Sequence, residues 1–274
     1  MGSFEKIRTL LAGHSGGARS FVKKLDDGGL AHLSWSKVSC VESCPYGYYL
    51  QYVKRVRLVP EPDYFVKGRV FHRAGARFYR GLRRGRSLGP AELEPIVRRH
   101  KCAVARDHLR NAVKVLLGNA FTDWEVLGIE KIIALDLGPG LPPCVGVIDL
   151  VLKKGKVFAV VDHKTGKAFW RQDPMQLAIY REHVLREHGP VQVSAFFDAY
   201  RWVNDLRRIR KPAHERTRVR LSSRSWGAAM RRFTAGHEAI KAVERAGEDS
   251  PGTGSCYMCA WRGVCRRAVS TSWW

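Results

Sequence analysis

Three charged residues stand near the ends of two apolar segments of the sequence. Asp149 follows the segment "CVGVI", and Asp162 follows "KVFAVV", with Lys164 two positions later. Side chains alternate between the two faces of a β-strand, so residues two apart share a face. Asp162 and Lys164 therefore project together, whereas His163 points to the opposite face. A hairpin of the two segments would bring Asp149 close to Asp162.

Two carboxylates and an amine at one place predict metal-assisted hydrolysis of phosphodiesters. Two acids at close range repel each other unless a cation lies between them. A hard divalent ion such as Mg²⁺ or Mn²⁺ accepts such oxygen ligands together with a phosphate oxygen and water. Lys164 can orient or deprotonate that water, or stabilise charge on the phosphate. The alternative is that Asp149 and Asp162 are ordinary strand-end residues, with Lys164 as their salt-bridge partner.

The elements that must position these residues follow from hydrophobic periodicity and from turn residues. The predicted strands are 124–137, 144–154, 156–164 and 191–203, with a Lys-Gly hairpin turn between the second and the third. The predicted helices are a short one within 1–30, one that begins at Ser34 or Ser36, 68–84, one or two within 91–118, 173–189 and 223–246. This order predicts an α/β protein with a mixed central sheet flanked by helices.

Three regions are predicted along the chain. Residues 1–30 are expected to form an N-terminal helix and a Gly-rich link. Residues 31–215 are expected to form the core, with a helical insertion at about 68–120. Residues 216–274 are expected to form a C-terminal helix and a cysteine cluster.

The charge of the chain indicates a polyanionic partner. Lysine and arginine total 48 against 25 acidic residues, which gives a formal net charge of +23. Eleven basic and two acidic residues lie within 67–101, and the same numbers lie within 201–232. Solubility does not require such clustering, and arginine, which dominates both segments, suits phosphate recognition. A nucleic acid is favoured over a membrane surface, because no long apolar amphipathic segment accompanies the charge.

The sequence predicts a cytoplasmic protein without a membrane partner. It contains no run of 18 or more apolar residues, the length that a membrane span needs. The segment "MGSFEKIRTLLAG" lacks the apolar core of a signal peptide. In the cytoplasm, seven cysteines indicate metal or redox chemistry before disulfides.

Three of the cysteines lie close together near the end of the chain. Cys256, Cys259 and Cys265 fall within ten residues, a spacing typical of metal-binding thiolates. Zinc sites usually have two close cysteine pairs, and here Cys40 and Cys44 could form only a looser second pair. The pattern therefore favours an iron–sulfur cluster over zinc. The cysteines expected to be ordinary buried residues are Cys40, Cys102 and Cys144.

Together these segments resemble a known enzyme family. "GVIDLVL" and "FAVVDHKTGK" resemble the core of the RecB-like branch of the PD-(D/E)XK nucleases. "SWSKVSCVESCPYGYYLQYV" resembles the family's N-terminal Ser-x-Ser…Cys-Pro…Tyr helix, "GRVFHRA" its Gly…His helix, and "QLAIY" its Gln-x-x-x-Tyr motif. The terminal cysteines resemble those of the iron–sulfur subset, which includes the AddB nuclease domain and the CRISPR-adaptation exonucleases. The matched pieces run from Ser34 to Cys265.

The resemblance implies a restriction-endonuclease-like core and a role for each matched residue in the site. Asp149 and Asp162 would bind Mg²⁺ or Mn²⁺, and His72 would be a further ligand or would organise the site. The backbone carbonyl of His163 would add a ligand. Lys164 would act on the water.

The remaining matched residues would lie around this centre or at the cysteines. Gln176 and Tyr180 are four apart, so they share a helix face, which in the family lies beside the active site and contacts DNA. Glu130 lies on the first strand, where some relatives carry an acid. Cys44, before Pro45, would complete a [4Fe–4S] ligand set that closes the tail onto the N-terminal helix, with Cys256, Cys259 and Cys265.

The sequence therefore predicts a metal-dependent DNA nuclease, an exonuclease or end-processing enzyme that prefers single strands. Its setting would be recombination, repair, replication or CRISPR-type DNA processing. No GxxxxGK[ST] phosphate loop is present, so it would act alone or beside a separate helicase or recombination protein. Trp202 and Trp226 are expected to be exposed in a groove for the strand. Two alternatives are a non-catalytic nucleic-acid-binding module with a structural iron–sulfur or zinc site, and a zinc-stabilised RNA-binding protein.

Overall fold

The computed structural model describes residues 2–170, 172–252, 256 and 259–267. The chain forms two compact units. The first, named the cysteine unit, comprises Met1–Pro62, Ala134–Gly146 and Gly227–Trp274. The second, named the sheet unit, comprises Asp63–Ile133 and Val147–Trp226.

The secondary structure contains helices, a mixed set of strands and short helical turns. The helices are α1 (Ser3–Ala12), α2 (Ala18–Asp27), α3 (Trp35–Ser43), α4 (Pro45–Tyr48), α5 (Asp63–Leu82), α6 (Pro90–Val97), α7 (Ala103–Gly118), α8 (Met175–His188) and α9 (Ser223–Ala246). The strands are β1 (Glu125–Leu135), β2 (Cys144–Lys154), β3 (Val157–Gly166), β4 (Gln192–Arg201) and β5 (His214–Val219). A π-helical turn, Tyr49–Val53, continues α4, and 3₁₀ turns cover Leu206–Arg208 and Gly247–Asp249.

The strands form one sheet in the order β1-β2-β3-β4-β5. Strands β2 and β3 are an antiparallel hairpin around Gly155, whose φ of +58° is a conformation that glycine adopts without steric cost. Strand β4 runs parallel to β3, and β5 runs antiparallel to β4. The predicted α/β class with a mixed sheet and the predicted hairpin are confirmed.

Helix α8 makes the parallel pairing of β3 and β4 possible. Parallel neighbours need a crossover between them, and α8 supplies it while packing against both strands. The helix begins where the Met175 N–H donates to Asp173 Oδ1 and ends at Gly189, which has a φ of +78°. The crossover therefore covers the face of β3 on which Asp162 and Lys164 lie.

The core of the sheet unit lies between α5, α6 and α7 and the other face of the sheet. The predicted 68–84 helix lies within α5, whose Phe71, Ala74 and Phe78 are buried in this core. Each large apolar side chain buried in this way contributes about 1.5–3 kcal/mol. Other members of this core are Leu109, Leu116, Leu150, Leu152, Ala159, Val161 and Tyr200.

In the cysteine unit, α3 and α9 pack closely. Ser34 caps α3, because its Oγ accepts the Lys37 N–H at 3.2 Å, so the first of the two predicted caps is the one used. A Cβ at Gly236 of α9 would lie 2.8 Å from Val38 Cγ1, so glycine is what lets the two helices approach. The rings of Trp35 and Phe233 meet edge to face.

Two elements differ from the expectations. Helix α2 occupies residues expected to belong to a Gly-rich link, so only the residues between α1 and α2 form that link. Strand β5 is not predicted at all, because "HERTRV" is too polar for its alternation to stand out. Among the described helices, none is long and apolar enough to cross a membrane.

Candidate active site

Asp149 and Asp162 meet where the β2–β3 ladder ends. The last registered pair before this point is Leu150 with Val161, and the same register continued by one residue would set the two acids opposite each other. Beyond this pair, the Asp149 side chain takes the place of a backbone partner, since its Oδ2 accepts the His163 backbone N–H at 2.8 Å. The hairpin therefore delivers both carboxylates to one end of the sheet.

Lys164 contacts the second of these acids. Its Nζ lies 2.7 Å from Asp162 Oδ2, in an ion contact that lacks the geometry of a directed hydrogen bond, and it donates to Gln176 Oε1 at 3.1 Å. Burial raises the pKa of Asp162, and the charge of Asp149 adds to this, so the pKa stays above its ordinary value although Lys164 opposes the shift. A buried carboxylate with a raised pKa is one that a further cation would stabilise.

His72 brings α5 to the same place. Its Nδ1 lies 3.3 Å from Asp149 Oδ1. Burial alone would raise the pKa of Asp149, but the charge and hydrogen bond of His72 bring it down to about 2. Burial alone would lower the pKa of His72, but Asp149 raises it above the usual value. The imidazolium form of His72 and the carboxylate form of Asp149 therefore stabilise each other.

Gln176 and Tyr180 of α8 connect Lys164 to strand β2. Gln176 Nε2 donates to the Tyr180 hydroxyl at 2.7 Å, and that hydroxyl donates to the Val147 carbonyl. The hydrogen bonds thus run from the lysine amine to the backbone two residues before Asp149. Because Tyr180 is buried, this geometry supports a positioning role, and contact of either side chain with DNA stays a prediction.

Glu130 is the predicted acid that the structure does not bring to this group. Its backbone has a φ of +49°, and its carboxylate pairs with Arg80 at 2.9 Å. It is therefore engaged by α5 and not by the carboxylates of the hairpin.

The side chains of this group match a hard divalent cation in chemistry. Two carboxylates that approach each other in a buried place, with an imidazole beside them, are ligands that Mg²⁺ or Mn²⁺ accepts. Within the described ranges, no group of three or more His, Cys, Asp or Glu side chains is arranged to hold a metal ion as it stands. The fit therefore rests on donor chemistry and proximity.

Behind the site lies a buried cluster that the sequence analysis did not find. Asp198, on β4 directly beside His163, is fully buried, and its oxygens contact His214 Nε2 at 2.8 Å, Arg216 Nε at 2.8 Å and the Tyr200 hydroxyl. His163 Nδ1 lies 3.3 Å away, close but outside hydrogen-bond geometry. Burial alone would raise the pKa of Asp198, but its contacts with His163, His214 and Arg216 hold that pKa far below its ordinary range. A lone acid inside the apolar run "VSAFFDAY" was the available signal.

Asp198→Ala is expected to destabilise the protein by about 3–5 kcal/mol, because it leaves the buried Tyr200 hydroxyl and the partly buried Arg216 guanidinium without their acceptor. Urea unfolding followed by circular dichroism measures the change. The control is Glu215→Ala, an exposed acid on β5, which should change stability by less than about 0.5 kcal/mol. Equal losses in the two variants would mean that Asp198 is not the centre of this cluster.

In the cysteine unit, the predicted thiolate ligands approach one another. The Tyr46 N–H donates to the Pro251 carbonyl at 3.0 Å, and the Cys259 N–H donates to the Cys256 carbonyl at 3.3 Å. Burial raises the pKa of Cys259, and the nearby thiols of Cys44, Cys256 and Cys265 add to that shift. Within the described part of the chain, these thiols are not arranged to hold a metal ion as they stand. Cys44 also caps α4, since its Sγ accepts the Gly47 N–H.

The three remaining cysteines were all expected to be buried, and this is correct only for Cys144. Cys102 is exposed, because it stands at the N-cap of α7. Cys40 is half-buried; burial raises its pKa to about 11, and nearby Cys44 and Cys259 contribute. Cys40 therefore lies beside the predicted ligand set.

The sequence predicts that Trp202 and Trp226 are exposed, and this prediction is wrong for Trp202. Trp202 is only 8% exposed and belongs to the core of the sheet unit, where Lys67 Nζ lies 5.2 Å from its ring. The backbone N–H of Trp202 donates to the Gly166 carbonyl, which ties the chain after β4 to the end of β3. Trp226 is half-buried beneath the guanidinium of Arg186.

Comparison with known proteins matches one family model and a number of solved structures, among them the two that follow. Curated proteins give no sequence match. A crystal structure from Eubacterium rectale, provisionally described as an exonuclease, is 11% identical, with a TM-score of 0.53 over 85% of this chain and 88% of that one. That likeness shows the fold. The structure of SSO0001 is 14% identical over 94% of this chain and 100% of that one, but its TM-score of 0.37 carries no argument.

The family model described as the PD-(D/E)XK nuclease superfamily matches residues 32–266. That range contains both strands of the acidic hairpin, α5 with His72 and α8 with Gln176. The mixed five-stranded sheet flanked by helices is consistent with a restriction-endonuclease-like fold. This chain belongs to the PD-(D/E)XK nuclease superfamily.

Proposed function

We propose that this chain is a Mg²⁺- or Mn²⁺-dependent deoxyribonuclease of the RecB-like branch, an exonuclease or end-processing enzyme that prefers single strands. The observation that carries the proposal is the convergence of Asp149, Asp162 and Lys164 at the end of one hairpin, with His72 against the first acid. Membership of a nuclease superfamily supports the reaction class.

His72, Asp149 and Asp162 would hold the metal ion, and the His163 carbonyl is a further proposed ligand. When bound, the ion would polarise a phosphate oxygen and lower the pKa of a water molecule. Asp162 is buried beside Lys164, and the partly buried Asp149 is held by the backbone N–H of His163, so both acids are preorganised before any substrate arrives.

Lys164 acts on the attacking water or on the phosphate. Its amine is held between Asp162 and Gln176, and Gln176 is held by Tyr180, so its direction is set by α8 and β2 together. As an ammonium, Lys164 can orient the water or stabilise charge on the phosphoryl oxygens. As a neutral amine, it can accept a proton from the water. Gln176 and Tyr180 are positioning residues in this account, and contact with the strand is a second role proposed for them.

A nucleic acid as substrate agrees with the distribution of charge. The net charge of +23 concentrates local polyanions and speeds their association. Many exposed cations lie on α5, which also carries His72: Arg73, Arg77 and Arg80. These cations would hold the backbone beside the catalytic group without reading its sequence.

The iron–sulfur cluster is a separate part of the proposal. Cys44, Cys256, Cys259 and Cys265 would ligate a [4Fe–4S] cluster, with zinc as the competing metal. Support comes from the position of the other three thiols near Cys259 and from Arg266 and Arg267, which lie over the Tyr46 ring and hold the end of the described chain near α4. The cluster would serve to join the two ends of the cysteine unit.

The cellular setting is proposed from sequence alone. The protein would act in the cytoplasm on DNA in recombination, repair, replication or CRISPR-type processing. A separate helicase or recombination protein would supply any strand separation, since the sequence has no GxxxxGK[ST] loop.

Digestion of end-labelled DNA tests the proposed activity. Purified protein is expected to degrade single-stranded DNA in Mg²⁺ or Mn²⁺, to act more slowly on blunt duplexes, and to lose all activity in EDTA, because the acids alone cannot activate water. The pattern of labelled products separates stepwise release from an end from internal cleavage. A protein that binds DNA tightly but leaves it intact in both metals would be the non-catalytic binding module.

A further inference from the structure

Three aromatic rings of the sheet unit are exposed to water. Tyr64 and Phe65, in the first turn of α5, are 50% and 44% exposed, and Trp170, after β3, is 60% exposed. Large rings contribute most to stability when they are buried, so these three are not explained by the core. Their places in the chain connect them to the candidate active site.

Phe65 lies on the helix face that carries His72. The two residues are seven apart, which is two turns of a helix, so they point in nearly the same direction at positions about 10 Å apart along α5. Gly68 lies between them, and a Cβ at Gly68 would be 3.6 Å from Thr165 Oγ1. The first turns of α5 therefore cross the end of β3, directly beside Lys164.

Trp170 returns to the same end of β3. A Cβ at Gly166 would lie 4.0 Å from Trp170 Cδ1, so the ring stands against the strand two residues beyond Lys164. The Gly166 carbonyl accepts the backbone N–H of Trp202 at 2.7 Å, which fixes the strand at this point. Trp170 thus has a fixed support and a large face open to water.

We infer that Phe65 and Trp170 are stacking rings that hold the unpaired bases of a DNA strand as it enters the catalytic group. The inference rests on the proposed function and names its substrate: a single strand or a frayed end. Aromatic faces stack on any base without reading its identity, but only on bases that are not paired within a duplex.

The charge around the rings favours this occupant over an apolar protein surface. Lys167 is exposed between Lys164 and Trp170, and Arg73 is exposed next to His72. A strand whose bases lie on the rings would place its phosphates among such cations. An uncharged partner would leave the cations without counterions.

Equilibrium binding tests the inference in a Lys164→Ala background, in which cleavage should not interfere. A fluorescent oligothymidine and a blunt duplex of equal length are titrated over a range of salt concentrations. Trp170→Ala and Phe65→Ala are expected to weaken binding of the single strand by about 5- to 100-fold each. Duplex affinity should stay within about 2-fold, because paired bases do not reach the rings.

The salt dependence separates stacking from charge. Neither ring carries a charge, so the slope of log Kd against log salt should be the same as in the parent protein. Trp170→Phe and Phe65→Trp keep a ring and should retain most of the affinity. Val104→Ala, which removes an equally exposed apolar side chain from α7, should bind both DNAs as the parent does.

The outcomes distinguish the inference from the proposed activity. If the parent enzyme cleaves DNA and both ring-to-alanine variants bind single strands normally, the inference is wrong and the activity stands. If those variants lose single-strand affinity while the unmodified protein cleaves nothing, the stacking site stands and the proposed activity falls. The inference is also wrong if the ring-to-alanine variants lose affinity equally for duplex and single strand. Single-strand affinity that stays at the parent value in both variants would instead favour a protein partner for the rings.

Discussion

Replacement of Lys164 by alanine is expected to lower the rate of DNA cleavage by about 10²–10⁴-fold, the range lost when a proton-transfer group or a charge-stabilising donor is removed. The amine is the cation that the structure holds against Asp162, and Gln176 directs it. Alanine removes the cation and leaves the buried carboxylate of Asp162 without its ion contact. DNA affinity should fall only a few-fold, because the many other cations of the chain would still attract the DNA backbone.

The measurement is single-turnover cleavage of end-labelled single-stranded DNA in Mg²⁺ or Mn²⁺, beside DNA binding by fluorescence anisotropy. Lys156→Ala is a matched control, because Lys156 is an exposed lysine at the other end of β3, about 26 Å away by strand length. That variant should cleave at the parent rate. Asp162→Ala should behave like Lys164→Ala, since it removes a proposed ligand.

Two results would contradict the site. Unchanged cleavage by Lys164→Ala would mean that the reaction takes place elsewhere. Loss of cleavage together with loss of the folded circular dichroism spectrum would leave the role untested by that variant, so Lys164→Met, which keeps the length of the side chain, is measured beside it. A folded Lys164→Met that cleaves normally would also remove the lysine from the proposal.

The acidic hairpin could be predicted because its signals are local. Strands β2 and β3 show apolar runs, a Lys-Gly sequence separates them, and the alternation of strand faces pairs Asp162 with Lys164. One register of a tight hairpin then sets Asp149 opposite Asp162. Each of these steps depends on residues within about 20 positions of one another, where pattern arguments are strongest.

The Asp198 cluster could not be predicted because it depends on non-local pairing. It needs β4 parallel to β3 after the α8 crossover and β5 antiparallel to β4, so that His163, His214 and Arg216 reach one carboxylate. Strand β5 itself was hidden by its charged side chains. A lone acid in an apolar strand indicates a partner but not which one.

The same limit explains the errors in exposure. Trp202 follows β4 in a segment that is polar in sequence, yet its backbone N–H binds the end of β3, and its ring lies against Lys67 and Phe71 of α5. The spacing of Gln176 and Tyr180 predicts a shared helix face, but not that this face turns toward Lys164 and the β2 backbone. Sequence spacing fixes which side chains point together, and tertiary packing decides what they meet.

Replacement of Cys259 by serine is expected to remove the proposed cluster and to lower the unfolding temperature by about 6–12 °C. Metal bound only by the folded chain contributes its binding energy to folding, and a loss of about 3 kcal/mol shifts the midpoint of a chain of this size by about that much. Cys259 is the informative position, because the other three thiols all lie near it.

Iron, zinc and sulfide analysis of anaerobically purified protein, with its visible absorbance, identifies the metal. A brown parent protein that contains iron and sulfide, together with a colourless Cys259→Ser variant, would support the cluster. A colourless parent protein that contains zinc would show a zinc site in its place. Cys102→Ser is the control, since that thiol is exposed at the start of α7 and should change neither metal content nor stability. If Cys259→Ser keeps both the metal and the unfolding temperature of the parent, the four thiols are not ligands. The cysteine unit would then be held by contacts such as those of Tyr46 with Pro251, Arg266 and Arg267.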